Sequence, residues 1–312
     1  MIKISVPAKV HLLGEHAVVY GKPALLAAIN KRIFVEIISS KNKQILGIKE
    51  YEKEIKQLLS IIEREIKKRT KTNKIEPYSI TIKSDIPIGA GLGSSAALSA
   101  ALTAGLLSFL KIRWDKKMVF EIAYEGERFF HGNPSGGDLA AVMEGGFLWF
   151  RKDLEFIKTF TALPFKLHKN VKSFVLVDSG KPKESTKEMI EQAYKFKVLS
   201  PEIVKELFDS QEDLTKQMAT ALKEGDEDDL IKSIKLGEQN LEKLGVVGQK
   251  AKALIREIEK SGGAAKISGK GGVKDGSGIV IAYHKDFHKL NSLFLHLGFK
   301  CSKISLGEQG LR

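Results

Sequence analysis

The sequence predicts an α+β protein built from two domains, and three observations carry the prediction. At 312 residues the chain is long for one hydrophobic core and comfortable for two. Its first half opens with strict apolar alternation and later feeds a glycine-rich loop into a long apolar helix. Its second half runs through several helices before a set of short strands, a last helix and a last strand, the rhythm of a split βαβ unit. The boundary is placed between residues 151 and 170, giving domains 1–160 and 161–312 with a cleft between them.

The elements follow in order. Ile2, Ile4, Val6, Ala8, Val10 and Leu12 alternate with Lys3, Ser5, Pro7, Lys9 and His11, the period of a half-buried strand, which puts Lys9 off the apolar face. A second strand is expected at Ile33 to Ile38, a helix over Glu50 to Lys68 and a strand at Ser79 to Lys83. The helix from Ser94 to Leu110 is apolar almost all round, as a buried helix is. Asp115 is suited to cap a further helix ending near Phe130, and Gly145 to Phe150 reads as a strand closing the first domain. In the second half, strands are expected at Phe174 to Val177, Ala264 to Ser268 and Ile279 to Tyr283, with helices between Lys183 and Lys260. A last helix stopped by Gly298 and a strand over Phe299 to Ile304 complete it.

Composition narrows the classes. Hydrophobic residues make up 43 % and charged residues 29 %, values of a folded chain rather than a disordered one. The longest apolar stretch, Ala96 to Leu110, is interrupted by Ser99, Thr103, Gly105 and Ser108 and falls short of the roughly 20 residues of a membrane span. The N-terminus lacks the charged and apolar regions of a signal peptide, so a cytoplasmic protein is expected. One cysteine, Cys301, leaves no internal disulfide and no thiolate cluster. The net charge of +13 raises the distant alternative of a nucleic-acid-binding protein. Against it, the lysines are dispersed, the cluster Lys67 to Lys71 is offset by the acidic run Glu224 to Asp229, and no aromatic-plus-basic stripe or zinc-finger spacing is present.

Chemistry concentrates in two places. In Pro87-Ile88-Gly89-Ala90-Gly91-Leu92-Gly93-Ser94-Ser95-Ala96-Ala97, glycines free the backbone to approach an anion and the following helix offers its unpaired amides and dipole. The run reads as a triphosphate cradle or as a plain capped turn. Ser94 and Ser95 are suited to cap the helix or to give a hydroxyl to Mg²⁺. It is not a Walker A loop, lacking the lysine, nor a protein-kinase or dinucleotide motif. Downstream, Glu127 falls at the edge of a helical apolar stripe, where a carboxylate needs either Mg²⁺ or a structural ion pair as partner. Asp138, eleven residues on, follows a Pro-Ser-Gly-Gly loop that cannot continue the helix, a place for an exposed, positioned base.

Together with Pro7 to Gly21 and His131-Gly132-Asn133-Pro134-Ser135-Gly136, these segments resemble the superfamily of galacto-, homoserine, mevalonate and phosphomevalonate kinases over nearly the whole chain. Gly14-Glu15-His16-Ala17 is similar to its mevalonate-phosphorylating members, whereas galactokinases continue toward an Asp-Tyr pair and phosphomevalonate kinases more often show Gly-Glu-Tyr. The resemblance implies an N-terminal ribosomal-protein-S5-like domain, a C-terminal ferredoxin-like split βαβ domain and an active site in the cleft. It implies ATP-dependent phosphorylation of mevalonate to 5-phosphomevalonate in isoprenoid precursor biosynthesis, Mg²⁺ as cofactor and a homodimer. It also implies that Pro87, Ile88, Gly89, Ala90, Gly91, Leu92, Gly93, Ser94, Ser95 and Ala96 bind ATP. Asp138 is then the general base, Lys9 its partner at the reacting oxygen, Ser95 and Glu127 the Mg²⁺ ligands, and Glu15, His16 and Ser268 substrate-binding residues. Gly137 and Leu139 depart from common mevalonate-phosphorylating versions, which keeps a phosphomevalonate kinase as the alternative. A third family segment, usually Gly-Ala-Gly-Gly-Gly, appears as Ser268 to Gly276, interrupted by Lys270, Val273, Lys274 and Asp275.

Overall fold

The N-terminal alternation forms β1 (Ile2–Leu13), and the chain turns back at Gly14 into β2 (Pro23–Ser39). The computed structural model describes residues 1–72, 74–172 and 174–312. Only the second half of β2 was legible as a strand. Pro23 to Ile29 are all buried, so both faces are apolar and no alternation remains to be read. β1 pairs antiparallel with β2 over its length, with register shifts at Pro7/Ala8 and His11/Leu13. The other edge of β2 is shared between β4 (Tyr78–Ser84), on Ile33–Ser39, and β5 (Phe147–Lys152), on Pro23–Ala27. β3 (Gln44–Leu46) extends the sheet parallel to β4, and β6 (Lys158–Leu163) forms an antiparallel hairpin with β5 that the sequence reading did not include.

Helices α1 (Glu52–Thr70), α2 (Ser94–Phe109), α3 (Lys116–His131) and α4 (Gly137–Glu144) belong to this sheet. α2 and α4 lie against β1 and β2, while α1 and α3 pack on α2. Asp115 caps α3 as expected, accepting the Met118 amide at 2.8 Å. Gly126 lets α3 close on its neighbours, because a Cβ there would stand 2.6 Å from Leu58 Cδ1 and 2.9 Å from Ser99 Oγ.

The second sheet orders its strands β10 (Cys301–Ile304), β7 (Phe174–Asp178), β9 (Ile279–Tyr283), β8 (Ala264–Ile267), all antiparallel. Helices α5 (Thr186–Leu199), α6 (Pro201–Glu224), α7 (Glu227–Lys243) and α8 (Gln249–Lys260) join β7 to β8, and α9 (Phe287–Leu297) joins β9 to β10. This is the β-α-β-β-α-β order of the ferredoxin-like arrangement, with extra helices in its first crossover.

The half-burial expected of β1 is corrected by the structure. Ile4 to Val10 are buried without a break, because α6 and α7 reach β1 from the second half while α2 and α4 cover it from the first. The C-terminal residues 305–312 also return to the first sheet: Ser5 and Arg312 exchange backbone hydrogen bonds of 2.7 and 3.0 Å, and Leu306 bridges to Ile29. Buried Arg32 has no carboxylate partner among the described residues and donates instead to Ser5 Oγ at 2.6 Å and to the Gln309 and Gly310 carbonyls at 2.7 and 3.0 Å. The largest apolar cluster takes in Val6, Val35 and Leu102 from the first half and Phe174, Leu176 and Ile281 from the second, so the halves share a core. Among the described residues no helix is long and apolar enough to cross a membrane.

Candidate active site

Gly89, Gly91 and Gly93 take φ of +75°, +78° and +73°. Each is in the left-handed region, which explains glycine at every second position. Gly93 is the N-cap of α2 and no side chain caps the helix, so the capping role open to Ser94 and Ser95 is not taken. The first-turn amides are therefore free to receive an anion, with the helix dipole behind them. Gly93 also lets Lys9 pass, since a Cβ would lie 3.1 and 3.2 Å from Lys9 Cγ and Cε. Gly93→Ala is expected to lower thermal stability by about 1–3 kcal/mol through its positive φ and to displace Lys9, reducing turnover. Melting and rate measurements that both match the wild type would remove this role.

Lys9 is 2 % exposed, and its ammonium spans two parts of the site. Nζ donates to the Gly91 carbonyl at 3.0 Å and stands 3.0 Å from Asp138 Oδ1. Asp138 was expected just after the Pro-Ser-Gly-Gly loop. The structure places it in the first turn of α4, because Gly136 at φ +84° starts a new short helix soon after α3 ends. Its side chain remains 42 % exposed, unlike its partner Lys9. Burial pushes its pKa upward, but the Lys9 ammonium and the adjoining His11 ring outweigh this and hold the carboxyl well below the usual carboxylate range.

Glu127 lies deeper. It is 3 % exposed, its Oε2 accepts from Ser95 Oγ at 3.3 Å, and its buried Oε1 has no partner among the described residues. The same serine hydroxyl is 3.0 Å from His131 Nε2, which stands 3.9 Å from Glu127 Oε2. Among the described residues no lysine or arginine pairs with Glu127, and His131 is the ionisable partner within ion-pair reach. Burial, reinforced by the charge of Asp138, pushes its pKa up to about 8 against the smaller pull of Ser95 and Lys9. A buried carboxylate with a free oxygen beside a serine hydroxyl suits Mg²⁺, which takes few protein oxygens and fills its shell with water and phosphate. No group of three or more His, Cys, Asp or Glu suited to hold a metal occurs among the described residues, so any cation here relies on such outside ligands.

A helix N-terminus without a side-chain cap, a lysine–aspartate pair and a serine–glutamate pair thus lie close together. Residues 53–146 match the model described as the GHMP kinases N terminal domain. A mevalonate kinase of Archaeoglobus fulgidus is 31 % identical over 270 residues, covering 86 % of this chain and 88 % of that protein. A mevalonate kinase of Pyrococcus horikoshii is 30 % identical, covering 86 % and 85 %. The chain belongs to the mevalonate kinase family of the GHMP kinases. Its fold is also that of the L. major mevalonate kinase solved with R-mevalonate, at a TM-score of 0.83 and 21 % identity over 99 % of this chain and 97 % of that one.

In this GHMP kinase the remaining expected residues gather at the third glycine-rich segment. Glu15 and His16 are 4 % and 6 % exposed. Glu15 Oε1 accepts from the ammonium of Lys266, a residue on β8 with no exposure at all, and His16 Nε2 lies 3.0 Å from the Lys270 carbonyl. Burial raises the Glu15 pKa, but Lys266 and His11 bring it below the ordinary value; burial lowers that of His16. His16 itself sits at φ +59°, a strained position for a non-glycine residue. Ser268 spends its hydroxyl on the backbone of His11, accepting from its amide at 3.0 Å and donating to its carbonyl at 3.2 Å. The irregular residues of the segment have definite partners. Lys270 donates to the Glu184 carbonyl, the Glu184 carboxylate accepts the Val273 and Lys274 amides at 3.4 and 3.0 Å, and Asp275 faces outward between Lys250 and Lys183.

The sequence reading missed His11, Lys266, Glu184 and Glu238. Lys266 carried a signal, being the single charge in the otherwise apolar strand Ala264-Ala265-Lys266-Ile267. Glu238, fully buried on α7, accepts the Ile267 amide at 3.0 Å, and burial lifts its pKa to about 8 despite Lys266. Nothing local distinguishes Glu184 or Glu238 from the many solvated glutamates.

Proposed function

We propose that this protein transfers the γ-phosphoryl group of ATP to the hydroxyl of mevalonate, giving 5-phosphomevalonate and ADP. The observation that carries the reading is the Lys9–Asp138 pair, aimed at the uncapped start of α2 in a chain of this family. The loop from Pro87 to Ala96 would hold the triphosphate through backbone amides, as glycine conformations at Gly89, Gly91 and Gly93 favour. Mg²⁺, held by Ser95 and Glu127, would neutralise phosphate charge when bound. Phosphoryl transfer asks the protein mainly for alignment and charge stabilisation. The substrate oxygen attacks phosphorus in line with the departing ADP, its proton passes to Asp138, and the Lys9 ammonium stabilises the oxygen as it loses that proton. Since Lys9 and His11 keep Asp138 strongly acidic, proton transfer accompanies or follows formation of the new P–O bond. Glu15, His16 and Ser268 shape the substrate side by fixing the Gly14 turn against the third glycine-rich segment.

A coupled ADP-release assay with Mg²⁺-ATP tests the reading against mevalonate, 5-phosphomevalonate, homoserine and galactose. Turnover on mevalonate alone is expected. Turnover only on 5-phosphomevalonate would keep the phosphoryl-transfer site and overturn the substrate assignment.

The Glu127 pKa gives a second test. With a value of about 8 folded and 4.5 as the ordinary one, the folded protein holds a proton that the unfolded chain releases across this window. The contribution of Glu127 to the stability of the metal-free protein therefore falls as pH rises from 4.5 to 8, and Glu127→Gln removes that component. Below pH 8, Mg²⁺ binding at this carboxylate displaces the proton, so affinity should rise with pH. Urea midpoints at several pH values, compared between wild type and Glu127→Gln, read the first effect; parallel curves would exclude it.

A further inference from the structure

β1 places Lys9 and His11 two residues apart on one face, and both converge on the same oxygen of Asp138: Lys9 Nζ at 3.0 Å and His11 Nε2 at 3.5 Å from Oδ1. Among the described residues no hydrogen bond engages Oδ2. We propose that His11 is a positioning residue for the base, holding Oδ1 with Lys9 so that Oδ2 is turned to the substrate hydroxyl. The proposal rests on the assignment of Asp138 as that base and adds the residue that orients it.

The chemistry favours a neutral ring in this place. A carboxylate only accepts, so the imidazole proton belongs on Nε2, leaving Nδ1, which is buried without a partner among the described residues, as a lone pair rather than a stranded N–H. Burial and the neighbouring Lys9 ammonium both lower the His11 pKa against the pull of Asp138 and Glu15. A second full positive charge would make Asp138 a still poorer proton acceptor, whereas a neutral donor orients it at less cost. The backbone that carries the ring is itself anchored, because Ser268 Oγ grips the amide and carbonyl of His11. That contact gives Ser268 a part in the site at one remove from the reactants: it links the third glycine-rich segment to the base through His11. A contact of 3.5 Å is long for a hydrogen bond and has room to tighten when substrate settles, as catalytic contacts do.

Three variants separate orientation from packing. Gln extends an N–H donor to about the reach of Nε2, Asn reaches only to the position of Nδ1, and Leu offers none. His11→Leu and His11→Asn should lower kcat about tenfold or more while leaving KM for ATP within about twofold, and His11→Gln should restore most of the rate. All are measured with whichever alcohol the wild type phosphorylates, so a wrong substrate assignment appears in the wild type and the role of His11 in the ratios. Melting temperatures identify any variant that folds poorly; the Gln and Asn variants, two neutral amides, then carry the comparison. Full turnover by His11→Leu, or equal loss in His11→Gln and His11→Asn, would overturn the proposal.

Discussion

Replacing Asp138 by Asn is expected to reduce kcat by at least about 10²-fold, and by as much as 10⁴-fold, while the protein continues to bind ATP. The amide keeps the shape of the side chain and an oxygen for Lys9, whose ammonium stands 3.0 Å from Oδ1. It cannot take the proton of an alcohol. Without that acceptor the attacking oxygen must carry the proton into a transition state in which it is becoming more positive, and Lys9 then opposes rather than helps. The free amides of α2 are untouched by the change, so the triphosphate site should survive. Single-turnover kinetics for the rate and calorimetry with a non-hydrolysable ATP analogue for binding make the distinction. Loss of both would point to collapse of the Lys9 bridge between α4 and the Gly91 carbonyl; normal turnover would remove Asp138 as the base.

What the sequence disclosed of this site followed local physics. The alternate glycines at 89, 91 and 93 need positive φ, and a helix apolar on all sides must be buried along most of its length; both are written in adjacent residues and both are found. The position of Glu127 followed from helical periodicity, and its burial completes that argument. The first half of β2 was invisible because burial on both faces erases the period of two. The ferredoxin-like order of the second sheet, by contrast, needs only the sequence of strands and helices to be suspected. Pairings across long separations left no trace of their own: Glu15 and Lys266 lie 251 positions apart, and Ser268 and His11 lie 257 apart. A motif could name Glu15 and Ser268 as important, but only the fold shows that one carboxylate is spent on a buried lysine and one hydroxyl on the backbone of a histidine.

Lys266→Met is expected to be among the most destabilising single changes in the protein, costing about 3–5 kcal/mol near neutral pH. Lys266 has no exposure, and its ammonium is shared between Glu15 Oε1 and the carbonyl of Ile267. Glu238 lies close by but is mostly protonated at neutral pH, its pKa having been raised to about 8 by burial. Glu15 and Lys266 therefore balance as one negative and one positive charge. Methionine fills much the same volume but leaves the Glu15 carboxylate buried without its lysine, and its second oxygen already has no partner among the described residues. The pH dependence identifies the cause. In the wild type, Lys266 helps to bring the Glu15 pKa below its ordinary 4.5, so the ion pair contributes stability above that pH and loses it as pH falls through the lowered value. In the variant, burial is opposed only by His11 and a backbone hydrogen bond and raises the pKa, so the unfolded chain is the better place for the charge above pH 4.5, and the penalty should shrink as the solution is acidified toward and below that value. Adding Glu15→Gln to Lys266→Met should recover much of the loss, since a neutral pair in this site has no charge to desolvate. Urea midpoints for the two single variants and the double variant close the cycle. Equal midpoints for wild type and Lys266→Met at pH 7 would mean that the join between the Gly14 turn and β8 is held by packing instead of by this ion pair.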